Sequence, residues 1–400
     1  MSESISRRWS RVAALIAVAF AAAFGCDGSA PAFSPSCNDA ATTPVPSTSP
    51  ICTRFARDTL FDAFIAPDFG RPMIGGMNGT GAADIYVSVG NGFQGQAARW
   101  DGSAWAFEKL PADAFSVSPI TIDTAGEPWA VIAEPGNTLS GVGGPSALVH
   151  RRAGAWMLEP KPPSRDFGPL GGTTSGLFVG TADAATGAFN LWGWQDHSWR
   201  ESPVVPAAES ANRRSFGAYG IWGAGCDQAL AFGGGVMTDT LVAGLFRLNG
   251  ASWVSVSVPP LSEIVGVSGP SIDELYVMAL NRNQDFTSRI FHVTNGLQTW
   301  TLLPTSPTVD YTAVWSPEPS LAVAVGCEWP DKTVARAADC ARITTFVGDT
   351  ISSAPLPGVE GDPVGLWHEP QTGALHLLTA AADVNGLLRG QHYVAPAQCP

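Results

Sequence analysis

The sequence predicts an all-β fold made of repeated four-stranded units. The main observation is a turn followed by a tryptophan, first seen over residues 99–105 (RWDGSAW). The last aromatic or apolar residue marks each copy, and the marks are Trp105, Trp156, Trp199, Trp253, Trp300, Ile351 and Tyr393. They are spaced 42 to 54 residues apart. A period of about fifty residues with short strands and glycine turns indicates a β-propeller, so the marks predict seven blades of four antiparallel strands.

Composition supports the same fold class and excludes one class of partner. The 400 residues are 45% hydrophobic and 14% charged and include 44 Gly and 32 Pro, which favours strands and turns over long amphipathic helices. A repeat fold carries a long chain as a single body. The formal net charge of −13 opposes binding to nucleic acid, because phosphate recognition needs clustered Lys and Arg.

Residues 1–26 read as an export signal. Three arginines precede an apolar run over 12–24, which ends at Gly25-Cys26. A run of this length is too short for an ordinary transmembrane helix. Small residues before a cysteine resemble a bacterial lipobox, which implies acylation of Cys26 and a membrane-anchored lipoprotein of the cell envelope. The alternative is ordinary signal cleavage, which leaves a secreted soluble protein.

The next segment, 27–50, is a predicted tether, and residues 51–400 form the predicted propeller domain. The tether contains five prolines among Ser, Thr and Ala, a composition that buries too little apolar surface to order itself. It would hold the folded body away from a membrane surface. Just after it, Thr59 to Ile65 could add an outer strand or cover a sheet edge.

The fourth repeat shows the plan of a unit most clearly. Its four predicted strands are Phe216–Trp222, Gln228–Gly233, Leu241–Leu248 and Trp253–Val258. Glycine breaks suit an inner strand near the axis, and Asn249-Gly250 suits a hairpin turn. The other predicted second strands are Asp84–Val89, Glu127–Ala133, Leu177–Thr181, Glu274–Leu280, Leu321–Gly326 and Ala374–Ala380.

This plan resembles kelch repeats, in which a glycine pair closes the second strand and a tryptophan opens the fourth. Gly233-Gly234 keeps the pair, and Gly90, Gly180 and Gly326 keep one glycine. The chain looks most like bacterial extracytoplasmic propeller lipoproteins, and that resemblance implies a scaffold and no chemistry. For the recurrent tryptophan we expect packing against the next blade; the alternative is stacking on a sugar or peptide.

Seven cysteines in an exported chain predict disulfides. Cys327 and Cys340 flank one loop between a second and a third strand, so we expect them to pair. Cys52 and Cys399 lie at opposite ends of the propeller region, where a bridge would close the ring. Cys37 competes for Cys52, and Cys226 has no evident partner.

We predict no catalytic, cofactor-binding or metal-binding residue. The six histidines form no close pair in the sequence, and strands reverse between His368, His376 and His392 in the last blade. Phosphate-binding loops, dinucleotide fingerprints and nucleophile elbows are absent from the sequence.

Function is expected on one face, at long loops that join second to third strands. These loops are Glu134–Ser146, Gly234–Ala243, Asn281–Ser288 and Glu328–Asp339. Their candidate binding residues are Glu134, Asn137, Asp239, Arg282, Asp285, Glu328, Trp329 and Asp331. The prediction is a monomeric, non-enzymatic binding or scaffold module for a protein or glycan partner, attached to the membrane through its lipid anchor only. A secreted carbohydrate-active enzyme with an axial-channel site is the alternative, and a purely structural envelope component is a third possibility.

Overall fold

The structure is a computed structural model. It describes residues 52, 54–64, 73–90, 94–133, 146–163, 166–173, 176–182, 189–205, 213–224, 228–237, 240–282, 287–330, 337, 339–369, 372–382 and 388–396. All of them belong to one compact unit. The predicted signal, Cys26 and the tether lie outside the described residues. No helix in these ranges has the length and apolar composition that crossing a membrane requires.

The described chain is nearly all β, with one six-residue helix near its start. The first half contains β1 (Ala56–Arg57), α1 (Thr59–Phe64), β2 (Met73–Gly81), β3 (Asp84–Gly90), β4 (Gly95–Trp100), β5 (Trp105–Glu108), β6 (Ser116–Val117), β7 (Thr121–Ile122), β8 (Pro128–Ala133), β9 (Ser146–Arg152), β10 (Ala155–Glu159), β11 (Asp166–Thr173), β12 (Gly176–Ala182), β13 (Phe189–Gln195) and β14 (Ser198–Ser202). The second half contains β15 (Val204–Val205), β16 (Arg213–Gly223), β17 (Ala229–Met237), β18 (Thr240–Asn249), β19 (Ser252–Ser255), β20 (Glu263–Ser271), β21 (Glu274–Leu280), β22 (Ser288–Thr294), β23 (Thr299–Leu302), β24 (Val309–Glu318), β25 (Leu321–Glu328), β26 (Ala341–Val347), β27 (Thr350–Pro355), β28 (Asp362–His368), β29 (Leu375–Ala382) and β30 (Leu388–Ala395).

Consecutive strands form antiparallel meanders of four. Strands β2–β5, β11–β14 and β24–β27 each make one four-stranded sheet, and β6–β10 make a similar sheet whose first strand is broken in two. Two further meanders, β16–β19 and β20–β23, are joined into one sheet by a single bridge between Gly234 and Glu263. The predicted second strands are confirmed as β3, β8, β12, β17, β21, β25 and β29.

The second strands are buried on both faces because neighbouring sheets pack against each side. In β21 the five residues from Leu275 to Ala279 are all buried, which explains the continuous apolar run in the sequence. The first strands of successive sheets contact one another, and β28 of the last sheet contacts β2 of the first. Buried clusters fill the space between sheets; one joins Tyr86 of β3 to Ile132 and Trp156 of the next sheet. The sheets therefore follow one another around a closed ring.

The ring is closed by the N-terminal strand. Strand β1 pairs antiparallel with β30, so that Ala56 faces Val394 and Arg57 faces Tyr393. The last sheet thus takes its outermost strand from the start of the described chain, in the order β1-β30-β29-β28.

Of the two possibilities predicted for Thr59 to Ile65, an outer strand and a cover over a sheet edge, the outer strand was wrong, because Asp58 starts a helix at Thr59. Its Oδ1 accepts the backbone N–H groups of Leu60 at 3.0 Å and Phe61 at 3.3 Å, as an N-cap does. Phe61 is fully buried and packs edge-on against Trp105, with ring centroids 4.9 Å apart. Helix α1 therefore covers the junction between the last sheet and the first.

The recurrent tryptophans open the fourth strands as predicted, but they pack against the preceding sheet instead of the next one. The Nε1–H of Trp156 donates to Glu108 of the previous sheet at 2.7 Å, and that of Trp199 donates to the Pro160 carbonyl at 2.7 Å. Trp253 packs on Phe178 with centroids 5.2 Å apart. Their side chains lie on the face of each sheet that packs against the preceding sheet. Trp253 is 0% exposed and Trp156 is 5% exposed, so these rings are packing elements and are closed to sugar stacking.

Candidate binding site

We call the loop face the part of the molecule that carries Tyr219, Glu263, Arg282, Glu328 and Trp329. It lies where second strands turn into third strands. Arg282 lies two residues after the end of β21, Glu328 ends β25, and Glu263 begins the inner strand β20. The antiparallel meander brings these strand ends to the same side of the ring. Three of the eight predicted binding residues, Arg282, Glu328 and Trp329, therefore lie on this face.

An ion pair between neighbouring strands is the centre of this face. Arg282 Nε donates to Glu263 Oε2 at 3.1 Å. The Glu263 side chain is 5% exposed, whereas that of Arg282 is 47% exposed. The arginine thus satisfies a buried carboxylate with one edge of its guanidinium and presents the rest of the side chain outward.

Gly234 explains how the Glu263 side chain fits between two sheets. A Cβ atom on Gly234 would lie 2.8 Å from Glu263 Cγ and 3.1 Å from the Ser262 carbonyl oxygen. Real Cβ contacts are not this short, so any larger residue would push the carboxylate out of place. The Gly233-Gly234-Gly235 run, noted in the sequence as a strand end, therefore provides the close approach of β17 to β20.

Tyr219 is the exposed aromatic of the loop face. It sits in a β-bulge of the inner strand β16, between the registered residues Ala218 and Gly220, and its side chain is 50% exposed. Bulges redirect side chains in this way. Burial raises the pKa of Tyr219, and the Glu263 carboxylate raises it further through its charge and a hydrogen bond. The phenol therefore stays protonated and can donate.

A second ion pair lies one sheet further along. Arg342 Nη2 pairs with Glu328 Oε2, and the Glu328 backbone N–H donates to the Cys340 carbonyl at 2.8 Å. The Trp329 N–H donates to the Thr308 carbonyl at 2.6 Å. These bonds fix the half-buried Trp329 against the start of β24.

The predicted disulfide between Cys327 and Cys340 is present. The two Cα atoms are 4.8 Å apart, and both residues are almost fully buried. Asp362 lies beside the sulfur atoms, but bonded sulfurs are not thiolates and do not bind a metal ion. Cys52 is also disulfide-bonded, with a partner outside the described residues, so the bridge to Cys399 stays a prediction.

One predicted loop is wrong and five predicted residues are not described. Gly234–Ala243 is not a long loop, because β17 continues to Met237 and β18 begins at Thr240. The glycine-rich sequence suggested an early strand end, whereas the glycines pair within the ladder. The candidate residues outside the described ranges are Glu134, Asn137, Asp239, Asp285 and Asp331.

Sequence reasoning missed a buried histidine pair in the last sheet. His376 Nδ1 lies 3.0 Å from His392 Nε2, and His392 Nδ1 lies 2.9 Å from Asp58 Oδ2. Burial and then the charge of His392 lower the pKa of His376 to about 3. The antiparallel register makes the two histidines diagonal neighbours on one sheet face. Two histidines in strands joined by a hairpin were the available signal.

Comparison with known proteins identifies the fold and no family. No family model matches the chain, and no characterised protein matches its sequence. Among solved structures, a GH74 xyloglucanase from Xanthomonas campestris superposes with a TM-score of 0.56 at 14% identity, over 80% of this chain and 54% of the xyloglucanase chain. The present chain thus spans about half the length of that enzyme.

Two other solved structures match over nearly their whole length. A virginiamycin B lyase from Staphylococcus aureus, determined with quinupristin, superposes with a TM-score of 0.54 at 14% identity. The superposition covers 86% of this chain and 98% of the lyase chain. YCF48 bound to D1 peptide superposes with a TM-score of 0.53 at 12% identity, over 88% of this chain and 96% of the YCF48 chain. Together with the ring of four-stranded sheets, these likenesses identify the fold of the chain as a β-propeller.

Proposed function

We propose that the chain is a non-enzymatic binding or scaffold module whose partner is a protein that docks on the loop face. The observation that carries the proposal is the presence of Tyr219, Arg282 and Trp329 on one face of a rigid ring. Tyr, Arg and Trp are the residue types most enriched among energetic hot spots of protein interfaces. The hydrogen bonds that hold these residues reduce the side-chain ordering that binding requires.

The charges of this face favour recognition over catalysis. Glu263 is paired with Arg282, and Glu328 is paired with Arg342, so neither carboxylate is positioned as a general acid or base. YCF48, which shares the fold, was determined with a bound peptide. That likeness supports a peptide or protein partner over a glycan.

A carbohydrate-active enzyme is the second candidate. The exposed Tyr219 ring beside the Glu263 carboxylate favours it, since aromatic rings and carboxylates together recognise sugars, and one fold neighbour is a xyloglucanase. Glycoside hydrolysis ordinarily needs two carboxylates about 5 to 9.5 Å apart. In the described part of the loop face, the neighbours of Glu263 are Arg282 and Tyr219, and the other carboxylate, Glu328, is paired with Arg342.

The finer architecture belongs to the same proposal. We infer seven four-stranded blades related to kelch repeats, in a monomer whose ring is reinforced by a bridge from Cys52 to Cys399.

We further propose export through residues 1–26 and acylation of Cys26, with 27–50 as a tether to the bacterial envelope. Intact-mass measurement on protein from a native-like host should find a diacylglycerol and an acyl chain at Cys26, and Cys26→Ser should remove both. Recovery of unlipidated wild-type protein with a different N-terminus would contradict the anchor.

The docking proposal is tested with single alanine variants. Partners are captured from the native envelope by crosslinking, identified by mass spectrometry, and their affinity for purified wild-type protein is then measured. Arg282→Ala or Trp329→Ala should each weaken that binding by about 2 kcal/mol, or roughly 30-fold, as expected for hot-spot residues. The matched control is Arg152→Ala. This variant removes an exposed arginine at the end of β9, on the side of the ring opposite the loop face.

Two results would reject the proposal. Equal losses for Arg152→Ala and Arg282→Ala would place the partner elsewhere. Hydrolysis of a polysaccharide that is abolished by Glu263→Gln would favour the enzyme instead.

A further inference from the structure

Three carboxylates surround one buried histidine at the edge of the second sheet. Asp123 and Glu127 flank the turn between β7 and β8, His150 lies in β9, and Glu159 ends β10. His150 is 5% exposed. One ligand atom each from Asp123, Glu127 and His150 all lie within 4.8 Å of one another. The cluster is remote in sequence from Tyr219, Glu263 and Arg282 and plays no part in the proposed docking.

The two ring nitrogens of His150 have different surroundings. Nδ1 lies 3.2 Å from Glu159 Oε1 and makes a hydrogen bond, so the carboxylate accepts the Nδ1 proton. Nε2 lies 2.8 Å from Glu127 Oε2 but makes no hydrogen bond. In the tautomer that Glu159 selects, the Nε2 lone pair faces a negative oxygen. A cation bound to both atoms, on the open side of the pair, would replace that repulsion with two favourable bonds.

Neighbouring groups hold the cluster in place. Trp129 stacks on the His150 ring with centroids 4.0 Å apart and an interplanar angle of 12°. Its Nε1–H donates to Asp123 Oδ2 at 2.9 Å, while Asp123 Oδ1 accepts the Glu127 N–H at 2.9 Å. Oδ1 also accepts the Ala125 N–H at 2.9 Å, so Oδ2, which accepts only the Trp129 N–H, is the Asp123 oxygen that keeps a lone pair for a ligand. The Glu127 side chain is 36% exposed, which provides an entry path.

Equivalent positions in two other sheets contain one acid and one base. In the first sheet Arg99 Nε lies 2.7 Å from Asp84 Oδ1, and in the fifth meander His292 Nε2 lies 2.7 Å from Glu274 Oε1 with Tyr276 stacked on the imidazole. Each of these positions has one carboxylate for one basic side chain. At the second sheet three carboxylates face one imidazole, so even an imidazolium leaves an excess of negative charge. This excess distinguishes the second sheet from its repeats.

We propose that Asp123, Glu127 and His150 bind a divalent transition-metal ion of the Zn²⁺ class. Imidazole and carboxylate ligands together suit Zn²⁺ and disfavour Mg²⁺ and Ca²⁺, which prefer oxygen ligands alone. Tetrahedral ligand atoms about 2.0 to 2.2 Å from a Zn²⁺ ion are roughly 3.4 Å apart, so a small rotation of the partly exposed Glu127 side chain would widen the 2.8 Å separation of Nε2 and Oε2 to fit the ion. Glu159 then orients the ligating histidine from behind, as carboxylates commonly do in metal sites.

The test is a Zn²⁺ titration of untagged, metal-stripped protein by calorimetry, with Co²⁺ absorption as a second readout. We expect one equivalent to bind with high affinity. Glu127→Gln should reduce the affinity strongly, and Glu159→Gln should reduce it by about 10- to 100-fold, because it removes only the orienting carboxylate. The matched control is Glu274→Gln, which alters the equivalent pair of His292 and Glu274 in the fifth meander and should leave Zn²⁺ binding unchanged.

The outcomes separate a metal site from a charged histidine. If wild-type protein binds no Zn²⁺ and NMR finds both His150 nitrogens protonated at neutral pH, the cluster is an imidazolium and the proposal is overturned. Binding that survives Glu127→Gln, in a variant with unchanged urea unfolding, would overturn it as well. Equal affinity for Ca²⁺ and Zn²⁺ would refute the transition-metal class.

Discussion

Replacement of Asp58 by alanine should open the closure of the ring. This one carboxylate caps helix α1 through Leu60 and Phe61. It accepts the Trp105 Nε1–H at 3.0 Å and faces His392 Nδ1 at 2.9 Å. Asp58 therefore connects the helix, the first sheet and the last sheet, and alanine removes all of these bonds at once.

The size of the effect follows from the groups left without partners. Loss of an N-cap costs about 1 kcal/mol. Trp105 is 7% exposed and His392 is 2% exposed, so each donor left without an acceptor costs about 1 to 3 kcal/mol. We expect Asp58→Ala to lower the free energy of unfolding by about 3 to 7 kcal/mol.

The pH dependence of stability gives an independent measure of the same carboxylate. Burial opposes its ionisation, but hydrogen bonds from His392 and Trp105 hold the pKa of Asp58 at about 2, below its ordinary value of 3.8. A carboxylate with a lowered folded-state pKa stabilises the protein above its unfolded pKa. About 2 kcal/mol should therefore be present above pH 3.8 and lost as the pH falls towards 2.

Urea unfolding followed by tryptophan fluorescence would measure both effects. The control is Asp101→Ala, which removes a surface carboxylate whose hydrogen bonds within the described chain stay inside one turn, to Ser103 and Ala104. If Asp58→Ala and Asp101→Ala change the unfolding free energy by the same small amount, the assignment of Asp58 to ring closure is wrong.

Three further variants test other parts of the structure. Trp156→Phe keeps the packing but removes the bond to Glu108, and should cost about 1 kcal/mol in urea unfolding; no change would show that the bond is dispensable. Gly234→Val should displace the Glu263 carboxylate and abolish partner binding, which surface plasmon resonance can measure; retained affinity would contradict the docking site. The pKa of His376 is lowered to about 3, so wild-type stability should fall as the pH drops from 6.5 towards 3, and His376→Gln should flatten that part of the pH profile.

The sequence predicted the strands because their signals are local. Glu274–Leu280 was predicted with the bounds that the structure has, since an apolar run buried on both faces is read directly from neighbouring residues. Helix α1 was missed because six residues carry little periodicity and depend on the cap at Asp58. The direction in which the tryptophans pack was also wrong, because sequence fixes neither which sheet face a strand presents nor which neighbour it meets.

The candidate site was predicted only where it lies in loops. Arg282 was identified as a charged residue after a strand, but its partner Glu263 was missed because an acidic residue at the start of an apolar strand resembles a strand boundary. Tyr219 becomes exposed through a bulge, which depends on the register between two strands. His150 and Glu127 are separated by 23 residues in the sequence, which contains 35 acidic residues and only six histidines. The sequence alone therefore does not single out this pair, and only cross-strand pairing brings the two residues together.

The closure of the ring by β1 and β30 has a consequence for biosynthesis. The bond between Asp58 and His392 spans 334 residues, and the ion pair between Arg57 and Glu360 spans 303. Contacts between such distant positions form late because loop closure must come first. A nascent chain can assemble its early sheets, but Ala56–Arg57 stays without a partner strand until residues 388–395 have left the ribosome. Chains truncated before that point expose an unpaired sheet edge, which makes them candidates for aggregation or proteolysis.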